Sequence, residues 1–478
     1  MSSSLPIKLK KVSALSAAVI YLVKEKNNLE GVLGIDALKE KIASRISEEE
    51  LIVTIPTADG FTVIAKVREE QEVSYRLQAA RSLGAKLQNI LSNEQAAVVT
   101  LAVKGVETDE ALAVIEGIVL SNYQFLEYKT GDGRKANKLS KLNVLGNGIS
   151  NKALDELSAV AAGTFIARDF VNEPPVTLTA TEWSNRMTAL GKETGFTTTV
   201  LNKRKIESLK MGGVLGVNKG SVEPPTFNIL EWKPENAKNT KPIVLVGKGV
   251  VYDTGGYNIK TVQMAKMKSD MGGGAAVCGA MAAIASAKLP VHVIGLIPAT
   301  DNRIDGKAFV ADDIITMMNG TKVEILNTDA EGRLILADAL HYAKKYNPEL
   351  VIDLATLTGA AARITGFYGI AACANNAPQM QQLKNSGEKV YERIMEFPMW
   401  REYHDAVKSS IADIKNTGGA SGGNITAATF LQHFTDYPWI HLDIAGPSFM
   451  DSNVDYRLKG GTGVGVRLLF DFIKNSVA

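Results

Sequence analysis

Cysteine is almost absent from this sequence, as are long apolar runs and any large excess of one charge. The two cysteines, Cys278 and Cys373, lie in runs of small apolar residues, so they indicate buried thiols in a reducing compartment rather than a disulfide framework. No stretch is long and apolar enough to span a bilayer, which argues against a membrane protein. The net charge of +2 is too small to point to a nucleic-acid or membrane partner.

The start of the chain has the composition of a secretion signal but not its processing site. Residues 9–23, LKKVSALSAAVIYLV, combine basic residues with a mostly apolar run. KEKNN follows directly, with no evident small-residue cleavage site. The pattern therefore favours the first β-strand of a cytoplasmic protein over a signal peptide.

Histidine is also scarce, and two common nucleotide-binding motifs are missing. None of the histidines has the HExxH spacing of a zinc protease. The sequence contains no GxxxxGKS/T motif, and its glycine-rich turns lack the GxGxxG order, which disfavours a nucleotide-binding α/β protein. The five histidines are His292, His341, His404, His433 and His441.

The length and the helix and strand patterns predict two domains. A chain of 478 residues is too long for one ordinary core. Residues 12–145 alternate strand-like and helix-like pieces, and the helical pattern that follows stops at Pro174 and Pro175. We predict a smaller N-terminal α/β domain over 1–149, a connecting helix over 150–172 and a larger domain over 173–478.

In the larger domain, short apolar runs alternate with helical stretches. This alternation is typical of the α/β class, in which helices cover both faces of a mostly parallel sheet. Ligands of such sheets bind beyond the carboxyl ends of the strands. The predicted strands are 242–247, 291–298, 322–327 and 350–355, and the predicted helices include 273–287 and 333–346.

Acidic and basic residues follow the predicted strands at the edge where ligands would bind. Four carboxylates collected there would repel one another, and burying even one unpaired carboxylate costs roughly several kcal/mol. Two divalent ions would balance the four negative charges, and oxygen ligands suit Mn, Mg or Zn in such a cluster. The charged residues are Lys248, Asp253, Lys260, Asp270, Asp329, Glu331 and Arg333.

Each of these pieces also has a plain structural interpretation. Asp253 within YDTGG is typical of a turn, and acids at the start of a helix are typical of capping beside the positive end of its dipole. Arg333 would then pair with a neighbouring acid, while Lys248 and Lys260 would be solvated surface charges. These interpretations do not explain why unusual charge follows consecutive strands along one edge.

The motifs that contain these residues resemble the leucyl aminopeptidase (cytosol aminopeptidase) family. NTDAEGR, at 327–333, is the family's signature, and the other motifs match in order. The resemblance runs from about residue 165 to the end, whereas the N-terminal part matches only in size and general pattern. The other matching segments are ARDFVNEP, VGKGVVYDTGGYNIK, MKSDMGGGAA, DLATLTGA, ADIKNTGGASGGNITAATFL, WIHLDIAGP and GGTGVGVR.

The resemblance implies an exopeptidase that uses two divalent ions, Mn or Zn, with Co or Mg as alternatives. Asp253 and Glu331 would bridge both ions. Asp329 would complete one site, partly through its backbone carbonyl. Lys248 and Asp270 would complete the other site, and the substrate's α-amine would bind one ion.

The resemblance also implies catalytic and pocket residues. Lys260 would polarise the scissile carbonyl, and Arg333 would hold a bicarbonate that acts as general base. A metal-bridging water would be the nucleophile, and the same ions would lower the pKa of Lys248 so that its neutral amine can bind metal. The pocket would consist of Met267, Thr356, Gly359 and Ala445, with backbone contacts from Thr356, Leu357 and Gly359.

Two departures from the family pattern concern this pocket. The loop 261–269 is one residue shorter than in the family and has Ala265 and Lys266 where an acid and an apolar residue are usual. YDTGG also replaces the commoner FDSGG. The ligand types are retained, so the departures bear on pocket shape near Met267.

The sequence thus predicts a cytoplasmic, metal-dependent aminopeptidase that releases N-terminal residues, leucine and other apolar ones, from peptides with a free N-terminus. One alternative is a DNA-binding regulatory member of the same family, although the basic stretches KLKK and GRKANKLSK are short. The other is a two-metal phosphoesterase, which a metal-ligating lysine and an apolar pocket disfavour. The resemblance further implies a homohexamer.

Overall fold

The computed structural model describes residues 7–30, 32, 40, 44 and 52–477. The remaining positions of the predicted N-terminal domain lie outside the described residues. The chain divides into two compact units, and the predicted boundaries at 149 and 172 stay predictions. The first unit comprises Met1–Ala162, Glu388–Tyr391 and Ser452–Leu458, and the second comprises Gly163–Gly387, Glu392–Asp451 and Lys459–Ala478.

In the first unit, the described residues form a sheet in the order β1-β6-β5-β2-β4-β3, parallel except where β3 meets β4. Its central strand β2 is the apolar run AVIYLV, five of whose six residues are buried. Glycine at positions 84 and 117 lets helices α1 and α2 pack closely. A Cβ at either position would collide with the backbone of the other helix. The strands are β1 (Lys8–Lys11), β2 (Ala18–Val23), β3 (Ile52–Thr57), β4 (Gly60–Lys66), β5 (Val98–Lys104) and β6 (Lys141–Leu145), and the helices are α1 (Val73–Asn93) and α2 (Thr108–Ser121).

Helix α3 (Asn151–Asn172) follows, and the division between the two units falls within it. The main sheet of the second unit has the order β16-β15-β18-β14-β9-β11-β8-β7, with β10 beside β11. Its centre is parallel, and antiparallel pairs join β15 to β18, β11 to β8 and β8 to β7. The strands are β7 (Thr197–Leu201), β8 (Thr226–Trp232), β9 (Ile243–Gly247), β10 (Gly249–Asp253), β11 (Val293–Asn302), β14 (Leu350–Ala355), β15 (Ile370–Ala374), β16 (Ile394–Glu396) and β18 (Trp439–Asp443).

Helices cover both faces of this sheet, as alternate residues of β11 show. Ile294 and Leu296 pack in the same core cluster as Leu336 of helix α8. A side chain at Gly295 would point to the other face, and its absence leaves space there for Val277 of helix α7. The predicted α/β class is therefore confirmed. The helices are α4 (Ala180–Thr194), α5 (Lys203–Ser208), α6 (Gly212–Asn218), α7 (Gly272–Ser286), α8 (Gly332–Ala343), α9 (Gly359–Thr365), α10 (Ala377–Val390), α11 (Arg401–Ala406), α12 (Gly423–Gln432) and α13 (Val466–Ser476).

The prediction that 322–327 is a strand of the main sheet is wrong. Only Lys322–Glu324, strand β13, is extended, and it pairs with β12 (Ile314–Thr316) and β17 (Ile414–Lys415) in a separate small sheet. The backbone N–H groups of Ile325 and Leu326 donate to the Asp313 carbonyl and the Asn416 side chain, so this segment cannot join the main ladder.

The other small sheet pairs β19 (Phe449–Met450) with β20 (Gly460–Gly461). Among the helices of the described ranges, none combines the length and apolar character needed to cross a bilayer.

Candidate metal centre

The predicted charged residues converge at the carboxyl end of the main sheet's central strands. Lys248 follows β9, and Asp253 ends β10. Asp270 follows a short 3-10 helix, Met264–Ser269, and Glu331 immediately precedes α8. Their side chains are almost fully enclosed: Lys248 is 2% exposed, Asp253 2%, Asp270 6% and Glu331 1%.

One half of the centre is built around Lys248. Its Nζ lies 2.7 Å from Asp270 Oδ2 and 2.9 Å from Glu331 Oε1, and donates to the Thr356 carbonyl at 3.0 Å. Gly332 leaves room for this ammonium, because a Cβ there would lie 2.7 Å from Nζ. The lysine is thus held at the start of α8 rather than in solvent, contrary to its plain surface interpretation.

The other half is built around Lys260. Its Nζ lies 2.8 Å from Asp253 Oδ2 and also contacts Asp329 Oδ1. Asp253 Oδ1 accepts hydrogen bonds from the Gly255 N–H at 2.8 Å and from Asn302 Nδ2 at 2.9 Å. One oxygen of Asp253 is therefore held by neutral donors and the other faces the charged centre.

The donor set fits divalent ions. Asp253, Asp329 and Glu331 each offer an oxygen, and these oxygens lie within 4.8 Å of one another. Glu331 Oε2 is buried and receives no hydrogen bond from the described residues. A buried carboxylate oxygen without a donor is costly, and an ion would satisfy it.

The carboxylates of the centre titrate abnormally. Burial, reinforced by Glu331, raises the pKa of Asp253 to about 7, and burial raises the pKa of Asp270 well above its usual value. Burial alone would raise the pKa of Glu331, but Lys248 and Lys260 outweigh it and the pKa is lowered. Four carboxylates face only two ammonium groups here, and the excess negative charge favours added cations.

The two lysines stay charged beside these acids. Burial would lower the pKa of both Lys248 and Lys260, but the surrounding carboxylates outweigh it and raise both pKa values. Neutralising Lys248 so that its amine binds metal would therefore require cations close by, and this role stays a prediction.

Arg333 lies one residue inside the start of α8 and is 7% exposed. Its Nη1 donates to the Asn416 carbonyl at 2.8 Å, and Nε has no acceptor among the described residues. Burial lowers the pKa of Arg333 to about 10, although Glu331 and Asp443 oppose the shift. No carboxylate of the described residues pairs with Arg333, so the plain ion-pair interpretation lacks its partner.

The pocket residues implied by the resemblance divide into two groups. Thr356 donates from Oγ1 to Asp270 at 3.0 Å, which ties it to the Lys248 half. The N–H groups of Leu357 and Ala445 both donate to Asp443 Oδ1, at 3.1 and 3.2 Å. The Leu357 N–H is therefore engaged within the protein, which leaves its carbonyl for the predicted backbone contact.

The other two implied pocket residues are Met267 and Gly359. Met267 lies within the 3-10 helix that precedes Asp270, and Gly359 is the first residue of α9. No hydrogen bond in the described residues ties either one to the charged centre beyond the Asp270 N–H, which donates to the Met267 carbonyl at 3.2 Å. Their roles in the pocket stay predictions.

Sequence reasoning missed several uncharged residues that hold the centre. Asn302, which ends β11, contacts Asp253, and Asn416 holds the start of NTDAEGR through hydrogen bonds to Leu326 and Asn327. Both asparagines are fully buried. Their signal in the sequence is weak: a polar residue directly after an apolar or alternating strand.

Cys278 and Cys373 are buried free thiols, as predicted. The predicted reducing compartment stays a prediction. Burial raises the pKa of Cys373 to about 12 and raises that of Cys278 further. Such thiols are unreactive, which argues against a role as nucleophiles.

Comparisons with known proteins identify the family of this chain. The model of the cytosol aminopeptidase family, catalytic domain, matches residues 165–470. A probable cytosol aminopeptidase of Chlorobium limicola is 39% identical over 481 residues, 94% of this chain and 94% of that protein. Another, from Chloroherpeton thalassium, is 49% identical over 320 residues, 66% of this chain and 62% of that protein.

Two solved structures share the fold over nearly the whole chain. The bottromycin maturation enzyme BotP in complex with Mn has a TM-score of 0.85 at 30% identity and covers 97% of this chain and 100% of its own. A mutant of tomato leucine aminopeptidase has a TM-score of 0.86 at 28% identity and covers 98% of this chain and 96% of its own. The family predicted from the motifs is confirmed: this chain belongs to the cytosol aminopeptidase family and is an aminopeptidase, a hydrolase of peptide bonds.

Proposed function

We propose that this enzyme uses two divalent metal ions to release N-terminal residues, leucine and other apolar ones, from peptides with a free N-terminus. The observation that carries the proposal is the buried centre of four carboxylates and two lysines, with Glu331 Oε2 left without a hydrogen-bond donor among the described residues. Four carboxylates outnumber two ammonium groups here, so bound cations would stabilise the buried centre.

The ligand assignment follows the two halves of the centre. Asp253 and Glu331 would serve both ions, and Asp329 would complete one site through its side chain and its carbonyl. Lys248 and Asp270 would complete the other. Mn or Zn are the preferred ions, with Co or Mg as alternatives, and the complex of BotP with Mn supports the first choice.

When bound, the ions would polarise the scissile carbonyl and lower the pKa of water so that it attacks at neutral pH. Lys260 would assist; the support is its position at the rim of the centre, where its side chain is 18% exposed and its Nζ lies 2.8 Å from Asp253 Oδ2. A fixed ammonium that donates to the oxygen on which charge develops stabilises the transition state.

Arg333 would hold a bicarbonate that acts as general base. The support is its burial without a carboxylate partner in the described residues and its position in the first turn of α8. Anions bind well at helix N-termini, and a guanidinium grips a planar oxyanion at two points. The proton taken from the nucleophile would then pass to this anion rather than to a side chain of the centre.

The proposal also covers the compartment, the oligomeric state and the partners of the enzyme. We propose that it acts in the cytoplasm as a homohexamer, on peptides rather than on nucleic acid or at membranes. Two reduced, buried cysteines and a net charge of +2 support this setting.

The test is peptidase activity on a panel of aminoacyl-amides after metal stripping and add-back. Chelation should abolish activity, and Mn, Zn or Co should restore it, with leucine and other apolar residues preferred. Full activity of a verifiably metal-free preparation would contradict the proposal. A restored activity on phosphate esters but not on amides would favour a phosphoesterase instead.

A second arm tests the substrate end. N-acetylated peptides should resist cleavage, because acetylation removes the basic amine that the acidic centre and its ions would bind. The free-amine peptide of the same sequence is the matched control. Efficient cleavage of both would point to an endopeptidase.

A further inference from the structure

Three uncharged residues connect the segments that carry the ligands of one half of the centre. Asn302 ends β11 and is the register partner of Asp253 at the end of β10. Thr328 directly precedes Asp329, and Asn258 lies two residues before Lys260. We refer to Asn258, Asn302 and Thr328 as the clasp.

Asn302 joins the two acidic segments with a single amide group. Its Nδ2 donates to Asp253 Oδ1 at 2.9 Å and to the Thr328 carbonyl at 3.0 Å, so both of its amide hydrogens are used. The side chain is fully buried. A shift of either segment would break one of these bonds and leave a polar group unsatisfied in the interior.

Thr328 and Asn258 close the clasp on the other side. Thr328 Oγ1 donates to the Gly255 carbonyl at 2.6 Å and accepts from the Asn258 N–H at 2.8 Å. The Thr328 N–H donates to Asn258 Oδ1 at 2.8 Å. The turn after Asp253 and the turn before Asp329 are thus fixed to each other by bonds that need no metal.

The clasp does not touch the other half of the centre. In the described residues, the side-chain hydrogen bonds and ion pairs of Lys248 and Asp270 run to one another, to Glu331 and to Thr356. A change in the clasp should therefore move Asp253 and Asp329 while leaving Lys248 and Asp270 in place.

We propose that the clasp is a positioning device for one of the two ions: it sets the spacing of the Asp253 and Asp329 oxygens and so fixes the affinity of the ion that Asp329 would help to hold. The inference rests on the proposed two-ion function. None of the clasp residues needs to touch metal or substrate. Groups that orient metal ligands in this way typically change metal affinity by about 10–100-fold when they are removed.

The experiment measures Mn²⁺ binding to the metal-stripped full chain by titration calorimetry. Asp329→Asn and Asp270→Asn first mark which binding step belongs to which half of the centre. Asn302→Ala should then weaken the Asp329 step by about 10–100-fold and the Asp270 step, which shares only Asp253 with the clasp, by clearly less. Thr328→Val, which removes the hydroxyl but keeps the shape, should act in the same direction, and Thr328→Ser should restore parental affinity.

Asn228→Ala is the matched control. Asn228 is also fully buried in the main sheet and donates from Nδ2 to the Ile297 carbonyl at 3.1 Å and to Thr226. Its loss should lower the melting temperature as Asn302→Ala does, yet leave both Mn²⁺ steps at parental affinity. A purely structural role for Asn302 would make the two variants alike.

The outcomes separate the clasp from the proposed function. If the parent shows two Mn²⁺ steps and Asn302→Ala or Thr328→Val weakens both equally or neither, the clasp inference is overturned and the two-ion function stands. If the parent binds one ion or none, the two-ion function fails and the clasp inference with it. Should Asn302→Ala fail to fold, the comparison of Thr328→Val with Thr328→Ser decides.

Discussion

Arg333 differs from the other basic residues of the centre in having no charged partner among the residues that the structure describes. Lys248 and Lys260 each lie between two carboxylates, which stabilise their charge in the interior. Arg333 is equally enclosed but has only the Asn416 carbonyl and an Nε without an acceptor in the described part of the chain. A buried cation in this condition needs an anion from outside the protein, which is why we assign it to bicarbonate.

Arg333→Ala should keep both metal ions and lose rate. The loss should be about 10²–10⁴-fold, the usual contribution of a positioned general base. Arg333→Lys keeps the charge but loses the planar fork, so it should also be impaired and respond only weakly to added bicarbonate. Metal content, melting temperature and bicarbonate-dependent rate should be measured on both variants, with the parent as reference.

A plain structural role for Arg333 makes a different prediction. It would lower the melting temperature and leave turnover per folded molecule near normal. Normal turnover of Arg333→Ala, with or without bicarbonate, would therefore remove Arg333 from the mechanism.

Gly332→Ala should disturb mainly the Lys248 half of the centre. A methyl group at 332 would lie 2.7 Å from Lys248 Nζ, which is closer than Cβ contacts in proteins allow. The ammonium is buried and held by Asp270 and Glu331, so it would be pushed away from its partners. Mn²⁺ affinity should fall at the step assigned to Asp270 and persist at the other.

Gly306→Ala is the control for this substitution, because a Cβ at 306 would meet nothing within 4 Å. It should bind both ions with parental affinity. Equal metal binding by Gly332→Ala and the parent would show that Lys248 is not required in its observed position.

At the scale of elements, helix α8 ties the charged centre to the apolar interior. Its first turn contains Arg333, and Asp338 in its middle is fully buried. The Asp338 oxygens accept from the Val214 N–H at 3.0 Å and the Met318 N–H at 2.9 Å. The helix is therefore anchored to α6 and to the turn after β12. These contacts help to fix the position of its N-terminus beside the main sheet.

Asp338→Asn should destabilise the fold, because an amide nitrogen cannot accept the hydrogen bond that one carboxylate oxygen accepts. Leaving a buried N–H unsatisfied costs about 1–3 kcal/mol. The free energy of unfolding from urea titration gives the loss, and Mn²⁺ content of the folded variant should be parental. A variant as stable as the parent would contradict the anchoring role.

The same substitution has a defined pH dependence. Burial raises the pKa of Asp338 from 3.8 to about 7 in the folded state, although backbone N–H groups oppose the shift. Between those values the folded state holds a proton that the unfolded state has lost, so this group's contribution to stability falls as pH rises. The stability gap between the parent and Asp338→Asn should therefore narrow from pH 3.8 to about 7.

The elements also show what the sequence can predict and why. The run 242–247 is apolar throughout and 350–355 is apolar except for Asp353, so burial on both faces favours strands there, and the two runs form β9 and β14. The run 322–327, KVEILN, is half polar and pairs elsewhere, because loop groups from Asp313 and Asn416 bind the backbone of its second half. The amino-acid composition of a run does not reveal which hydrogen-bonding groups from other loops will reach its backbone.

The charged residues of the centre could be singled out from the sequence for a related reason, and the clasp could not. Seven charged residues that follow predicted strands along one edge need an explanation, and the motifs that contain them resemble a family signature. Asn302 and Thr328 are neutral, and short polar residues near strand ends are ordinary in turns. Only their contacts in the folded chain distinguish them.

At the scale of the whole molecule, the charged centre and every residue assigned to it lie in the second unit. The family match, 165–470, covers almost the same part of the chain. The first unit has its own six-stranded sheet within the described residues, and no residue of the proposed chemistry comes from it. The proposed hexamer must therefore be tested by measuring the assembly of full-length chains.

The second unit has a group of exposed apolar residues at one edge of the main sheet. Met395 lies in the edge strand β16 and is 46% exposed, and Phe367 and Tyr368 are 43% and 58% exposed. Ile364, near the end of α9, is 53% exposed. An exposed apolar group beside an edge strand favours association, because both its surface and its unpaired backbone remain in water.

Tyr368→Glu should therefore weaken the hexamer if this edge forms one of its interfaces. A charge placed in an apolar interface leaves an unpaired carboxylate that association would have to bury. Light scattering should give the parent a mass of six times 51.3 kDa and the variant a smaller multiple, with Mn²⁺ content unchanged. Val222→Glu, at an isolated valine that is 93% exposed, should leave the mass at the parental value. A monomeric parent would contradict the hexamer itself, whereas a hexameric Tyr368→Glu would place the interface on another surface.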